Sequence, residues 1–290
     1  MKMFSRKKIS TFTGIAVLII LVLFSGIHSL TQKKSFVPDG LLTVHFIDVG
    51  QGDSILAVLP DGKTVLVDAG EKNQGSVIVD YLHNLGIKKI DYLIGTHPHA
   101  DHIGGMAEVI DSIPVDSIYM PRAATNTVTY KHLLETIQSH QLSIHAAKAG
   151  TVLFDGPNGK AEFLGPLSEE YDDLNNSSAV LKLSYGATAY LLMGDAEKQV
   201  EQELLSSSAD LQCDVLKLGH HGSSTSSTKA FLSAASPQFA VISCGQGNDY
   251  GHPHKEVLKR LETQGILPLR TDQKGTVVLS SDGWVITERQ

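Results

Sequence analysis

The sequence of 290 residues predicts an α/β protein built as a four-layer αββα sandwich, in which two sheets pack face to face between outer helices. A hydrophobic fraction of 42% is ordinary for a globular protein and excludes a disordered or multi-span membrane chain. Strand-like and helix-like segments alternate along the chain. Their order, β-rich and then βαβα, occurs twice. We therefore expect two similar halves within one domain over residues 35–290.

The first half begins with strand-like runs that are separated by turns containing glycine and proline. The predicted strands are 43–49, 54–59, 64–68, 91–95 and 117–120. Apolar residues at helical spacing predict helices over 74–85, 104–113 and 130–140.

The second half repeats this plan. It opens with short β segments around residue 153 and over 161–164, followed by longer strands over 179–185 and 189–193. Helices are then predicted at 197–207, 229–234 and 255–264, alternating with strands at 214–218 and 239–243. The chain closes with β segments at 267–270, 275–280 and 284–287.

The N-terminal 34 residues differ in character from the rest of the chain. Basic residues at Lys2, Arg6, Lys7 and Lys8 precede a stretch without formal charge over 9–32, whose centre at 15–24 is wholly apolar. A basic flank followed by an apolar run is typical of a signal peptide or an uncleaved membrane anchor. Because positive flanks stay in the cytoplasm, we expect residues 35–290 to be extracytoplasmic, either anchored to the membrane or secreted.

The charge of the remaining chain limits its partners. Residues 1–34 hold six of the 24 basic residues and none of the 31 acidic ones, so residues 35–290 carry a formal charge of −13. This argues against a broad phosphate-binding surface. It leaves open a nucleic-acid substrate held locally at a metal site, and the oligomeric state remains open as well.

A histidine-rich turn carries the strongest chemical signal. The segment Thr96-His-Pro-His-Ala-Asp-His102 follows a predicted strand and precedes a glycine pair that starts a helix. It places His97, His99, Asp101 and His102 within six residues. Imidazole nitrogen and carboxylate oxygen are ligands for Zn²⁺ and neighbouring first-row ions. The segment therefore predicts a metal site.

Two later strand ends complete the pattern. Asp195 follows Gly194 at the end of one strand, and His220 and His221 follow another. Each feature alone is weak, because Gly-Asp turns and surface histidine pairs are common. Together with the first cluster they predict two metal sites at one sheet edge, and His220 is preferred to His221 because it comes sooner after its strand.

These motifs resemble the metallo-β-lactamase fold superfamily of metal-dependent hydrolases. Longer strings extend the resemblance to the extracytoplasmic hydrolase domain of ComEC-type DNA-uptake proteins over residues 43–285: FIDVGQGDS (46–54), VLVDAG (65–70), THPHADHIGG (96–105), LLMGD (191–195), LKLGHHGSSTSS (216–227) and YGHPHKEVLKRL (250–261). In place of the multi-span channel of those proteins, we expect a single N-terminal hydrophobic segment.

The resemblance implies two divalent metal ions. His97 and His99 would hold the first ion, and Asp101, His102 and His220 or His221 the second. Asp195 would bridge the two ions, and Asp101 and Asp195 would take part in catalysis. The stretch 174–178 carries asparagine where much of the superfamily has a further histidine, so Mn²⁺ is as plausible as Zn²⁺.

The resemblance also suggests roles for residues around the ions. Asp48, Asp53 and Asp68 would support the ligands. His254 would deliver a proton, and His252 would contact the substrate, although both are nearly as plausible as ordinary loop residues. Ser223 and Ser224 would bond substrate oxygens, with a helix N-cap as the alternative.

Two ions about 3.5–4 Å apart activate water for hydrolysis without specifying the substrate. The resemblance favours phosphodiesters, and hence an extracytoplasmic phosphodiesterase or DNA nuclease related to competence DNA uptake. The alternatives are a hydrolase of small or cell-envelope esters, such as phosphocholine esters or lactones, and a surface binding module without catalysis.

Overall fold

The computed structural model describes residues 40–289, so the N-terminal segment interpreted as a signal or anchor lies outside the described residues. Secondary-structure elements are numbered in chain order. The first half contains β1 (Leu42–Phe46), β2 (Ile55–Val58), β3 (Thr64–Val67), α1 (Gly75–Asn84), β4 (Ile90–Ile94), α2 (Ala100–Ile103), α3 (Met106–Ser112), β5 (Val115–Met120), α4 (Val128–Ser139) and β6 (Ile144–Ala146).

The second half repeats the alternation of strands and helices. It contains β7 (Val152–Gly156), β8 (Gly159–Phe163), β9 (Leu181–Tyr185), β10 (Thr188–Leu192), α5 (Lys198–Ser206), β11 (Val215–Lys217), α6 (Lys229–Ala235), β12 (Phe239–Ile242), α7 (Lys255–Thr263), β13 (Leu267–Arg270), α8 (Thr271–Lys274), β14 (Val277–Ser281) and β15 (Ile286–Arg289). Short 3-10 turns occur at 72–74, 174–177 and 219–222.

These strands form two mixed sheets. The first has eight strands in the order β15-β14-β1-β2-β3-β4-β5-β6, and the second has seven in the order β13-β12-β11-β10-β9-β8-β7. Strands β3 to β6 run parallel, as do β10 to β13. The other neighbouring pairs are antiparallel. Each half therefore contributes one block of parallel strands.

Three hydrophobic clusters separate four layers, as the sequence pattern predicts. Alternate side chains of both sheets, including Phe46 and Phe163, form a buried cluster between the sheets. The opposite face of the first sheet packs with Leu66 against Ile78 on α1. On the second sheet, Leu216 belongs to the cluster that contains helix residues. Each sheet thus buries both faces, which its apolar strands require.

The predicted elements agree with the observed ones except at their ends and in three short segments. Strand β6 and the four-residue helices α2 and α8 do not appear in the predictions. Each is too short for a hydrophobic period to be visible. Within residues 40–289, no helix has both the length and the apolar character needed to cross a bilayer.

Candidate metal centre

Both sheets bring chemically active residues to the ends of their parallel strands. His97, His99, Asp101 and His102 lie in the turn after β4 and in α2. Asp195 lies three residues after the end of β10. The histidine pair at 220–221 lies in the 3-10 turn after β11. The carboxyl ends of neighbouring parallel strands share an edge, which is where α/β proteins place their sites.

A glycine allows an additional loop to approach this edge. Gly52 has a φ of +123°, and a Cβ atom added there would lie 2.2 Å from the carbonyl oxygen of Asp101. Only glycine combines this backbone conformation with so close a contact. The next residue, Asp53, donates its backbone N–H to the Asp101 carbonyl at 3.2 Å. The loop after β1 is therefore attached to the histidine-rich turn.

Four side chains converge at the centre of the site. Asp195 Oδ2 lies 3.3 Å from His102 Nε2 and 3.4 Å from His221 Nε2. Asp101 Oδ2 lies 3.3 Å from His221 Nε2 and 3.8 Å from His102 Nε2. Ligand atoms of a tetrahedral zinc ion lie about 3.3 Å apart, given bond lengths of about 2.0–2.1 Å. The two imidazole nitrogens and two carboxylate oxygens therefore match the spacing of a ligand set.

Hydrogen bonds on the far side of each ring fix this orientation. His102 Nδ1 lies 2.7 Å from Asp68 Oδ2, and His221 Nδ1 lies 3.0 Å from the carbonyl oxygen of Ser243. Asp68 also accepts from the backbone N–H and the hydroxyl of Thr96, at 2.8 and 2.7 Å. With each Nδ1–H directed to an acceptor, Nε2 is the nitrogen that remains for a metal.

A second group of atoms lies beside the first. His97 Nε2 lies 3.0 Å from His99 Nδ1 and 3.9 Å from Asp195 Oδ2. Its Nδ1 lies 3.1 Å from the Thr96 hydroxyl and 3.4 Å from that of Ser178. Ser178 also accepts the backbone N–H of Asp195 at 3.0 Å. The carboxylate of Asp195 is thus close to both groups.

The buried Lys217 neutralises Asp53, a carboxylate close to the rings of His102 and His221. Lys217 and Asp53 are both fully or almost fully buried and form an ion pair. Lys217 Nζ also donates to the carbonyl oxygen of Gly194 at 3.2 Å. Asp53 Oδ1 lies 3.5 Å from His221 Nδ1, whereas Asp195 lies near Nε2 of the same ring. Although Asp53 belongs to a tight group with His102, Asp195 and His221, its lysine partner favours a supporting role.

The electrostatics favour a bound cation. Burial alone would lower the pKa of His102, yet the carboxylates of Asp195 and Asp68 raise it well above its ordinary value. For His221, the nearby carboxylates of Asp195 and Asp101 likewise outweigh burial and raise the pKa. The pKa of Asp101 lies below its usual range because the nearby imidazoles of His102 and His221 outweigh the effect of burial.

A comparison with known families identifies the chain. Residues 47–246 match the Metallo-beta-lactamase superfamily. The chain belongs to this superfamily.

Curated relatives refine this membership. The chain is 34% identical over 251 residues to ComE operon protein 3 of Bacillus subtilis, a match covering 81% of this chain and 32% of the relative. It is 34% identical over 249 residues to Competence protein ComA of Neisseria gonorrhoeae, covering 85% and 33%. The chain therefore spans about a third of the length of these relatives. The resemblance to DNA-uptake proteins is confirmed at this level.

Solved structures agree on the fold. The metallo-β-lactamase fold protein YhfI from Bacillus subtilis aligns with a TM-score of 0.51 and 16% identity, covering 79% of this chain and 95% of that one. The diiron β-hydroxylase CmlA from Streptomyces venezuelae aligns with a TM-score of 0.54 and 14% identity, covering 84% and 55%. At these identities the likeness extends to the fold alone.

The residues present fit a metal centre of this superfamily. Within the described part of the chain, His102 Nε2, His221 Nε2 and Asp195 Oδ1 are buried and have no hydrogen-bond partner. Buried polar atoms almost always have one, so a cation accounts for these three together. The nitrogen and carboxylate donors suit zinc and manganese alike. A metal-dependent hydrolase is the enzyme class that fits this donor set.

The geometry reverses the preference for His220 over His221. His221 is buried with Nε2 among the carboxylates, whereas His220 Nε2 lies 4.0 Å from Asp195 Oδ2. His220 Nδ1 is held by Glu197 Oε1 at 3.0 Å, and its side chain is 25% exposed. Distance along the chain from the strand end was the wrong criterion, because this turn has left-handed residues at both histidines, with φ of 47° and 52°. The local backbone decides which ring enters the site.

The two histidines of the 250–254 loop have different environments. His252 is 8% exposed, its ring centroid lies 5.4 Å from that of His220, and its Nδ1 has no partner among residues 40–289. Burial and the neighbouring charges of His221 and His220 lower the pKa of His252 to about 4. His254 accepts the Ser224 N–H at 2.9 Å, and its Nε2 lies 3.2 Å from the Tyr250 carbonyl. This bonding favours His252 over His254 for substrate contact or proton transfer.

The other residues predicted for the site differ in whether they contact its histidines. The Ser223 hydroxyl is buried and accepts hydrogen bonds from Thr225, while Ser224 is exposed. Neither is a helix N-cap, since Thr228 caps α6. Asp48 is exposed, and its carboxylate accepts the Gly50 N–H at 3.0 Å. Asp48 therefore shapes its own loop, whereas Asp53 and Asp68 contact the histidines.

Sequence reasoning missed three residues that contact the site. They are Lys217, Ser178 and Glu197. Lys217 could have been found, since a lysine inside the apolar run of β11 requires a buried acidic partner. The other two have no local signal, because serine and glutamate are common in loops.

Proposed function

We propose that this protein is an extracytoplasmic phosphodiesterase, and specifically a DNA nuclease related to competence DNA uptake. The observation that carries the proposal is the convergence of Asp101, His102, Asp195 and His221 beside His97 and His99. Similarity to two competence proteins over more than four-fifths of the chain supports nucleic acid as the substrate. The apolar N-terminal segment supports the location, either as a membrane anchor or as a secretion signal.

His97 and His99 would hold one cation, while Asp101, His102 and His221 would hold the other, with Asp195 shared. Two such ions, Zn²⁺ or Mn²⁺, supply an acidified water and neutralise charge on the phosphoryl oxygens. The chain's own residues fix the ligands in place. Asp68 and the Ser243 carbonyl orient His102 and His221, and Ser178 contacts His97 and Asp195.

His252 would contact the substrate or pass a proton to it. Its unpartnered Nδ1 and its place beside His220 put a neutral imidazole next to the metal centre. An imidazole in hydrogen-bond reach of a departing oxygen can donate to it. Ser224 is exposed in the loop after β11, which contacts the 250–254 loop through His254, and would offer its hydroxyl to substrate oxygens.

A substrate panel tests the proposal. The full chain would be assayed with Mn²⁺ or Zn²⁺ against single-stranded DNA, plasmid DNA, bis(4-nitrophenyl) phosphate, a lactone and a phosphocholine ester. We expect cleavage of DNA and of the small diester, and loss of both activities in D101A. Hydrolysis of the lactone or the phosphocholine ester without diester cleavage would support the small-ester alternative instead. A D101A protein that folds and shows no difference in any activity would support the binding-module alternative.

A further inference from the structure

A cavity of about 250 Å³ lies at the ends of β5 and β6. It is lined by Arg122 and Lys148, which follow these strands. Leu167, Glu169 and Tyr171 from the loop after β8 also line it. Ser177 also lines it, next to Ser178, which contacts His97. The cavity therefore adjoins the first group of metal-site residues.

The strand order places Arg122 and Lys148 at the same sheet edge as His97. Ile94 of β4 pairs with Tyr119 of β5, which in turn pairs with His145 of β6. The ladder continues past the strand ends, since Gly95 bonds the Tyr119 carbonyl and Ala147 bonds the Met120 carbonyl. His97 follows the end of β4 by three residues, and Arg122 and Lys148 follow the ends of β5 and β6 by two residues each. Neighbouring strands of a sheet are about 4.8 Å apart, so the three residues follow adjacent strand ends at one sheet edge.

The positive charge of Arg122 and Lys148 is unusual for this acidic chain. Arg122 and Lys148 are exposed, and neither forms an ion pair or a side-chain hydrogen bond within the described residues. By contrast, Lys89 at the opposite ends of the same strands pairs with Asp91 and Asp116. In a body with a formal charge of −13, two unpaired cations beside a metal centre are a local site for anions. Glu169 is the acidic residue that lines the cavity.

An immobilised aromatic side chain, Tyr171, also lines the cavity. The Tyr171 hydroxyl donates to Glu203 Oε2 at 2.6 Å and accepts the Ser168 N–H at 3.1 Å. Its ring is half-buried and lies near the exposed side chain of Leu167. Fixed aromatic rings beside basic side chains are the usual means of holding single-stranded nucleic acid, through base stacking and phosphate contacts.

We propose that this cavity is a nucleotide subsite for a single-stranded polynucleotide. Arg122 and Lys148 bind a backbone phosphate adjacent to the scissile one, and Tyr171 contacts the neighbouring base. This deepens the proposed nuclease function and rests on it for the identity of the substrate. It also explains how a strongly acidic domain can bind an acidic polymer, because the positive charge holds only a short segment of the polynucleotide.

The first test measures binding without hydrolysis. Fluorescence anisotropy of a labelled ten-residue oligothymidylate, in EDTA, would compare the full chain with R122A/K148A. The matched control is K63A/K88A, which removes the same charge at the amino ends of β3 and β4. We expect about 10-fold weaker binding for R122A/K148A at low salt. The slope of log affinity against log salt should become shallower by about 0.7, because the two side chains neutralise one phosphate of the single strand.

The second test compares two substrates with metal present. In R122A/K148A, the ratio of kcat/KM for the oligonucleotide to that for bis(4-nitrophenyl) phosphate should fall at least 10-fold, because the small diester has no adjacent phosphate. R122Q/K148Q repeats the test if the alanine variant does not fold. An equal loss on both substrates, or binding equal to that of K63A/K88A, would overturn the subsite. Wild-type protein that binds through Arg122 and Lys148 but cleaves no diester would overturn the nuclease proposal and leave the subsite standing.

Discussion

The two sheets contribute to the metal centre in different ways. The first supplies His97, His99, Asp101 and His102 from one continuous turn after β4. The second supplies Asp195 after β10 and His221 after β11, with 25 residues of chain between them. Hydrogen bonds orient both contributions: Asp68 and Thr96 hold His102 and His97, and the Ser243 carbonyl holds His221. The ligands of the first sheet are close together in sequence and can be inferred from a motif, whereas those of the second sheet are brought together only by the fold.

The largest effect is expected at Asp195, where the two contributions meet. In D195N the shared carboxylate is lost, so metal-dependent hydrolysis should fall by about 1000-fold or more. Kinetics on bis(4-nitrophenyl) phosphate would measure this, with D80N on the exposed face of α1 as a control that retains activity. An activity within 10-fold of wild type would mean that the second sheet only supports a site made by the first.

A large stability effect is expected at Lys217. K217M leaves Asp53 buried without a countercharge, so the free energy of unfolding should fall by about 3–5 kcal/mol in urea titrations. K182M is the comparison, because Lys182 is also buried in the second sheet but its partner Asp210 is 76% exposed. We expect about 1 kcal/mol there.

A double variant sharpens this comparison. D53N/K217M removes both charges and should recover part of the stability that K217M loses. If D53N/K217M is no more stable than K217M alone, the ion pair is not the source of the effect.

A smaller effect is expected from residues that orient the ligands. D68N should lower metal affinity by about 10- to 100-fold, since it weakens the acceptor that fixes His102. S178A should have a smaller effect, because His97 Nδ1 retains the Thr96 hydroxyl at 3.1 Å. Isothermal titration with Zn²⁺ or Mn²⁺ would measure both, with S139A on α4 as the control. A larger loss of metal affinity in S178A than in D68N would show that Asp68 is not the main support of the metal ligands from the first sheet.

The smallest effect concerns a buried histidine without a carboxylate partner. His45 on β1 contacts the Tyr81 hydroxyl at 2.7 Å, and burial together with the Arg289 charge lowers the pKa of His45 to about 4. Below its ordinary pKa of 6.5 the unfolded state binds the proton more readily, so the stability from this residue is present above pH 6.5 and is lost as pH falls towards 4.

The expected difference can be measured directly. Between pH 7 and pH 5 wild type should lose about 2 kcal/mol more than H45Q in urea titrations. H83Q, at an exposed position on α1, should behave as wild type. Parallel pH profiles for wild type and H45Q would contradict the prediction. The contrast with His102 and His221, whose pKa values are raised, depends on neighbouring carboxylates and not on burial.

Sequence reasoning reached the fold and most of the site, for reasons that differ between residues. Strand and helix periods were visible in the other elements, whereas the three-residue strand β6 and the four-residue helices α2 and α8 were missed because they are too short to show a period. The residues from His97 to His102 were found because their ligand atoms are close in sequence as well as in space. Asp53 and Asp68 contact the histidines that they are predicted to support, whereas the carboxylate of Asp48 closes a turn in its own loop.

By itself, the sequence determined the two-sheet fold, the superfamily and the chemical type of the site, because hydrophobic periods and a dense run of ligand residues are local properties. The tertiary structure decided that His221 and not His220 enters the site, since the Ser243 carbonyl that holds it comes from the adjacent strand β12. It also paired Lys217 with Asp53 and set Arg122 beside Lys148. Such choices depend on which strands are neighbours, and strand order is fixed by the packing of the whole core.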